Sequence, residues 1–300
     1  MPGKVNSADA LPFIVISGPP GAGKTVDVMR AVGIDAVVAA APGALKPLMP
    51  LLGITPRAEY SAATIEDAIK GLQEIRTISG KKNAPRWYVA DEFSYMAERT
   101  AMILERKHSG FKFWGKLRDV CTRFRDAARD AGVGVIVNCW DQPPQTKASG
   151  KFVRGGPRLP GDMPEQFPGI ADYVFLAAHD MAYTPWPWCY RTRGDTQWAL
   201  KDRTDQTPDP SPMNLGAILR ESGYKLHYPE QMRKLEPVIA DLAATYAQAD
   251  MSAALAHAQG FYPQLLKAGV DPRYAKWALT DARDRGTLRR ARTIKMSAYC

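Results

Sequence analysis

Gly18, Gly21, Gly23, Lys24 and Thr25 sit in the stretch "ISGPPGAGKT" at the spacing G-x-x-x-x-G-K-[ST], directly after the apolar run Phe13, Ile14 and Val15. That pattern, between a strand and a helix, is chemistry for a nucleoside triphosphate. The glycines let backbone N–H groups close on phosphate oxygens, the following helix N-terminus adds positive potential, and Lys24 reaches the terminal phosphates. The Thr25 hydroxyl is a magnesium ligand in such loops. Pro19, Pro20, Ala22 and Val26 complete the nucleotide-contacting segment, so ATP and Mg2+ are the expected cofactors.

A hydrolytic site of this kind needs carboxylates nearby. Asp91 and Glu92 follow the apolar run "WYVA", where a strand end presents Asp91 to the magnesium shell and Glu92 to an attacking water as general base. The competing reading of Glu92 is the N-cap region of the next helix. Asn138 ends the apolar run "VGVIVN" and either orients the water, senses the terminal phosphate or is a satisfied strand-end amide.

Elements must position these groups. Phe13–Ser17 reads as a buried strand and Lys24–Val32 as a helix, followed by an apolar strand in "IDAVVAAAPG", a further strand in "AEYSA", and a helix over Thr64–Ile78 with Thr64 as N-cap. "PRWYVADE" is a strand, Lys112–Ala131 an amphipathic helix closed by Gly132, and "VGVIVNCW" a strand. Strands alternating with helices predict an α/β fold with a mainly parallel sheet covered on both faces. Gln142–Gly161 reads as a long loop, "ADYVFLAAH" as a strand, and "PWCYRTRGDTQWALKDRT" as a late β-hairpin turning at Gly194 and Asp195, braced by Trp186, Trp188 and Trp198. The RGD tripeptide is read as that turn. Beyond Pro229 the pattern is helical, which divides the chain into a flexible N-terminus (1–10), a core (11–230) and a helical basic region (231–300).

The 300 residues carry 40 Lys and Arg against 31 Asp and Glu, a net charge of +9, which favours a polyanionic partner. Four cysteines without metal or disulfide spacing imply free thiols in a reducing compartment, and the four histidines show no ligand spacing. No signal-peptide core or membrane span is evident, so the expectation is a soluble cytoplasmic protein.

Two segments suit nucleic acid. Arg106–Arg118 interleaves basic residues with Phe111, Phe113 and Trp114, of which Phe113 and Trp114 are expected to pack on the core. The stretch 142–161 has Lys147, Lys151, Arg154, Arg158 and Phe152 and no acid, and is the stronger candidate. A third basic stretch, Asp281–Lys295, reads equally as a nucleic-acid contact, a solvated helix face or a subunit contact.

The order of phosphate loop, Asp-Glu strand, Asn-ended strand, "GGPRLPGDMPEQFPGIADYVFLAA" and "WALKDRT" resembles the RecA-core P-loop ATPases carried by many bacteriophages, including those of single-strand annealing and recombination modules; the resemblance spans Pro12–Tyr228. It implies a RecA-like core assembling into rings or filaments, ATP between subunits, single-stranded DNA on basic loops and a phage single-strand binding protein as a further partner. It also implies that Lys201 and Arg203 of "ALKDRT" reach a neighbour's terminal phosphate, the cytoplasm being then that of the host cell. The chain departs from the recombinase pattern at the strand after the first helix, which ends without a carboxylate, leaving Glu92 as base. That arrangement also suits a viral DNA packaging or translocating motor. A non-catalytic, nucleotide-gated assembly or virion component is the third reading.

Overall fold

The computed structural model describes residues 11–297 apart from 47–49, 51, 80, 82, 162, 182–187 and 249–250. The expected N-terminal tail 1–10, Trp186 and Cys300 lie outside the described residues. From the N-terminus come β1 (Phe13–Ser17), α1 (Lys24–Val32), β2 (Ala36–Ala40), β3 (Ala58–Ser61), α2 (Ile65–Ile78), β4 (Trp87–Ala90), α3 (Phe93–Lys107), α4 (Gly110–Asp130) and β5 (Gly134–Asn138). Thr64 and Asp67 form a reciprocal capping box at the start of α2, which is why that helix begins where its sequence predicts.

Beyond β5 the chain forms β6 (Asp141–Gln142), β7 (Gln145–Thr146), β8 (Phe152–Val153), β9 (Gly156–Pro157), α5 (Met163–Ile170), β10 (Tyr173–His179), β11 (Trp188–Arg191), β12 (Lys201–Asp202) and β13 (Ser211–Pro212). It ends with α6 (Leu215–Glu221), α7 (Glu230–Gln248), α8 (Met251–Lys267) and α9 (Pro272–Ser297). The central sheet runs β13-β11-β10-β1-β5-β4-β2-β3, with β12 also paired to β10. From β10 to β3 every pairing is parallel; β11, β12 and β13 add an antiparallel edge. This is the expected α/β architecture, a mainly parallel sheet flanked by helices.

β1, β2, β4 and β5 are buried along their whole length because both faces of the sheet are covered there. Along β1, Ile14 and Ile16 join a core with α1, α6 and the C-terminal helices, whereas Phe13 and Val15 join one with α2, α3, α4 and α5. The C-terminal helices thus close one face of the same sheet. Among the described residues no helix is long and apolar enough to cross a membrane.

Two expectations fail here. The late hairpin does not form: β11 pairs with Leu176–His179 and β12 with Tyr173–Val174, both antiparallel to the same edge of β10. Together they are one edge strand interrupted by an excursion over 192–200. Asp195 turns the excursion with its own side chain, its Oδ1 accepting from the backbone N–H groups of Gln197 and Trp198, each at 2.7 Å.

The stretch 142–161 is a hairpin rather than a loop. β6 pairs with β9 and β7 with β8, both antiparallel, and the tip closes through Lys147 N–H to Lys151 O at 2.9 Å. Pro143 and Pro144 have no N–H to donate and split the ladder into two short pieces. Opposite them Gly155 exchanges backbone bonds with the excursion, donating to Gln197 O (2.7 Å) and accepting from Ala199 N–H (2.9 Å). A Cβ on Gly155 would lie 2.6 Å from the Trp198 ring and 2.8 Å from Pro144, so only glycine fits.

Candidate nucleotide site

The strand order decides where the chemistry gathers. β1, β5 and β4 are adjacent and parallel, with Ile16 level with Asn138 and Ala90 level with Val137. Their C-terminal ends therefore lie on one edge, presenting the loop after Ser17, Asp91 and Asn138 together. The loop must pass close to β10: a Cβ on Gly18 would stand 2.7 Å from that of Ala177. Gly23, immediately before α1, has φ 87°, the left-handed backbone that glycine adopts without strain. Lys24, 9% exposed, folds back on this loop and donates from Nζ to the carbonyls of Gly18 (2.6 Å) and Pro19 (2.9 Å). Burial lowers its pKa, an effect Asp91 opposes.

Asp91 is the hub. Thr25 Oγ1 donates to its two carboxylate oxygens at 3.0 and 3.1 Å, and Asn138 Nδ2 donates to Oδ1 at 2.8 Å. Burial raises the Asp91 pKa, with Asn138, Thr25 and Lys24 pulling the other way. The Asn138 Oδ1 is buried with no hydrogen-bond partner, so this polar group carries a desolvation cost that a ligand would relieve. Its free atom is an acceptor, which suits a water O–H rather than a phosphate oxygen. A hydroxyl and a carboxylate meeting at a phosphate loop are hard oxygen donors, and they fit magnesium.

Glu92 has φ 57° and ψ 37°, left-handed although it is not glycine, a conformation costing roughly 1–2 kcal/mol. It occupies the cap position of α3, yet its side chain caps nothing. Instead it lines a cavity of about 400 Å³ with Gly21, Lys24, Thr25, Asp91 and Asn138. Burial raises its pKa, and the charge of Asp91 adds to the shift.

Sequence reading missed several members of this site. Trp140 lines the same cavity, and the guanidinium of Arg158 stacks over its ring at 5.5 Å. Cys139 also lines it, its thiol pushed up to about 12 by burial, and its neighbour Trp140 donates from N–H to Ser94 Oγ at 3.0 Å. Asp27, one turn into α1, does not line that cavity but accepts from Tyr190 Oη at 2.5 Å and from Leu215 N–H at 3.0 Å. Burial raises its pKa to about 6. The only sequence signal for Trp140 and Cys139 is their place directly after the Asn-ended strand.

Lys201 and Arg203 lie at the opposite end of the sheet. Val174, the partner of Lys201, stands level with Val15, and Asp172 with Phe13, whereas the phosphate loop follows Ser17. Arg203 pairs with Asp172 at 2.6 Å and Lys201 donates to Ala171 O at 2.8 Å. Neither is brought to this chain's own loop. On the hairpin, Lys147, Lys151, Phe152 and Arg154 are exposed, whereas Arg158 is held by Glu98 at 3.0 Å. Phe113 and Trp114 are not buried in the core: Phe113 is half-buried and Trp114 51% exposed, and the neighbouring Phe111 is 98% exposed. The C-terminal basic stretch turns inward. Arg285 meets Glu221 (3.2 Å), Glu236 (2.8 Å) and Asp281 (3.9 Å), and Arg289 meets Glu221 at 3.1 Å. Arg292 donates to the carbonyls of Glu221 and Gln206. Among the described residues Cys121, Cys139 and Cys189 form no disulfide.

No protein-family model matches the chain, and no curated protein is similar to it. Among solved structures it is similar to a KaiC-like protein from the hyperthermophilic archaeon Pyrococcus horikoshii, at 15% identity and a TM-score of 0.36, covering 60% of this chain and 76% of that one.

Proposed function

We propose that the chain is a magnesium-dependent ATPase that self-assembles and acts on single-stranded DNA in phage recombination or annealing. One observation carries the ATPase reading: Thr25, Asp91 and Asn138 form one hydrogen-bonded set at the mouth of the phosphate loop, with an unpartnered amide oxygen. Glu92 is held in strained backbone directly beside it. Thr25 and Asp91 would hold the magnesium ion, which supplies charge neutralisation at the terminal phosphates. Lys24 exchanges its two loop carbonyls for phosphate oxygens. The Asn138 Oδ1 accepts an O–H of the attacking water and fixes its position. Glu92 takes the water's proton as the new bond to the γ-phosphorus forms and the bond to the bridging oxygen breaks, releasing ADP and phosphate. A carboxylate whose proton affinity is raised is the better base near neutral pH.

The DNA and assembly parts rest on the resemblance of the motif order and on the basic hairpin. In that reading the exposed Arg203 leaves Asp172 to reach the next subunit's phosphate, tying hydrolysis to assembly. The test is phosphate release from ATP without DNA, with single strands and with duplex, alongside negative-stain images of each mixture. Single strands should raise the rate and Arg203→Ala should erase the increase. No release under any condition would sink the ATPase reading, and intact stimulation in Arg203→Ala the trans role. The direct adjacency of Asp91 and Glu92 favours a second reading, a packaging or translocating motor, which a procapsid-stimulated rate would select.

A further inference from the structure

The two nucleic-acid candidates, far apart in sequence, converge on one cleft. Trp114 from α4, Lys147 and Lys151 from the hairpin and Gln145 from β7 line a cavity of about 440 Å³ that, among the described residues, shares no lining residue with the nucleotide site. Its floor is apolar and buried: Leu117, Val153, Leu159 and Met163 are each 2–5% exposed. An apolar floor under a cationic rim is an amphipathic site, suited to a ligand with a flat apolar part and a negative part. Among the described residues the lining cations Arg118, Lys147 and Lys151 outnumber the acid, Glu165, which pairs with Lys151 at 3.7 Å.

Trp114 is held rather than loose. Its ring edge lies against Gly161, where a Cβ would come within 3.0 Å, and against Phe113 at a centroid distance of 4.7 Å. A half-exposed indole fixed on a cavity wall is a stacking platform whose ordering is already complete. Phe152, 47% exposed, stands on the neighbouring β8.

We infer that this cleft takes one unstacked base of a single-stranded nucleic acid, stacked on Trp114, with the flanking phosphates on Lys147 and Lys151. The inference rests on the single-strand reading above and names where the strand sits. A paired base cannot enter, since its faces are covered by its neighbours, and this is how the cleft tells single strand from duplex.

The experiment is anisotropy of labelled oligo-dT, an abasic strand of equal length and a duplex, over a series of salt concentrations. Trp114→Ala should weaken oligo-dT binding by between about fivefold and a hundredfold, leaving the salt slope unchanged. Trp114→Phe should retain most of the affinity. Lys147→Ala with Lys151→Ala should flatten the slope by about 1.4, the share of two phosphates. The abasic strand should bind wild type as weakly as oligo-dT binds Trp114→Ala. If wild type binds oligo-dT and Trp114→Ala binds it equally, or if duplex binds as tightly as single strand, the cleft is wrong while the single-strand reading can stand. If wild type binds none of the three, both fall, and the ATP-turnover assay alone judges the rest.

Discussion

Two buried polar clusters in this molecule use the same residue types to opposite ends. On the inner side of α9, Arg285 is set among Glu221, Glu236 and Asp281, and Asn214 bridges Asp281 and Asp284 at 3.2 and 3.1 Å. Each charge there faces an opposite charge of the same chain. At the phosphate loop two adjacent acids share one cation, Lys24 is bonded only to carbonyls, and the Asn138 oxygen has no partner. The first cluster balances its charges within the chain and ties a helical tier to the sheet, although Asp281 Oδ2 and Glu236 Oε2 lack hydrogen-bond partners. In the second the charges are not balanced within the chain. Polar burial by itself does not identify a site; the imbalance does.

The comparison breaks most sharply if the open cluster can be cut without cost to the fold. Lys24→Ala should reduce phosphate release to background with an unchanged melting temperature; release at the wild-type rate would remove the loop from the chemistry. Glu92→Gln should lower turnover by about 10²–10⁴-fold, again without loss of stability. The closed cluster should answer in the reverse sense: Arg285→Met should cost about 3–5 kcal/mol in urea unfolding, because buried acids lose their shared cation, and leave turnover at low temperature intact.

A finer test uses pH. Burial raises the Asp281 pKa to about 7 in spite of Arg285, so the folded state holds a proton that the unfolded state has released. Its stabilising contribution is full below about pH 4 and is lost as pH rises towards 7. Asp281→Asn cannot titrate, so its stability relative to wild type should improve steadily over that window; a flat difference would deny the shift. The smallest effect is at Glu92. Glu92→Gly relieves the left-handed backbone and should raise stability by about 0.5 kcal/mol after the added chain entropy is counted.

The phosphate loop, Asp91, Glu92 and the parallel sheet were legible because their signals are contiguous: a fixed spacing, a run of apolar residues, a cap. What escaped depended on distant partners. The inward turn of Arg285 needs Glu221 and Glu236, residues of other helices. The ladders of 142–161 are two residues long and broken by prolines, below any detectable alternation. Pro164 and Pro168 left the helix α5, which the sequence reading did not assign, without a helical signal. Gly194 and Asp195 carried a hairpin signal, but β11 and β12 each found the open edge of β10, which leaves no need for them to pair together. Phe113 and Trp114 have core composition, and only the position of the hairpin beside them shows that their place is a rim.

The hairpin's two ends bear very different constraints on change over generations. At its base Gly155 admits no side chain, and Arg158 is fixed by Glu98 and Trp140. At its tip Lys147–Gly150 is exposed, and a side chain added at Gly150 would meet nothing within 4 Å. The fold can therefore accept a longer or altered tip over 148–150 while the base keeps its seat beside the candidate nucleotide pocket. Divergence should accumulate there first, and a grafted tip is the simplest route to giving this scaffold a new target.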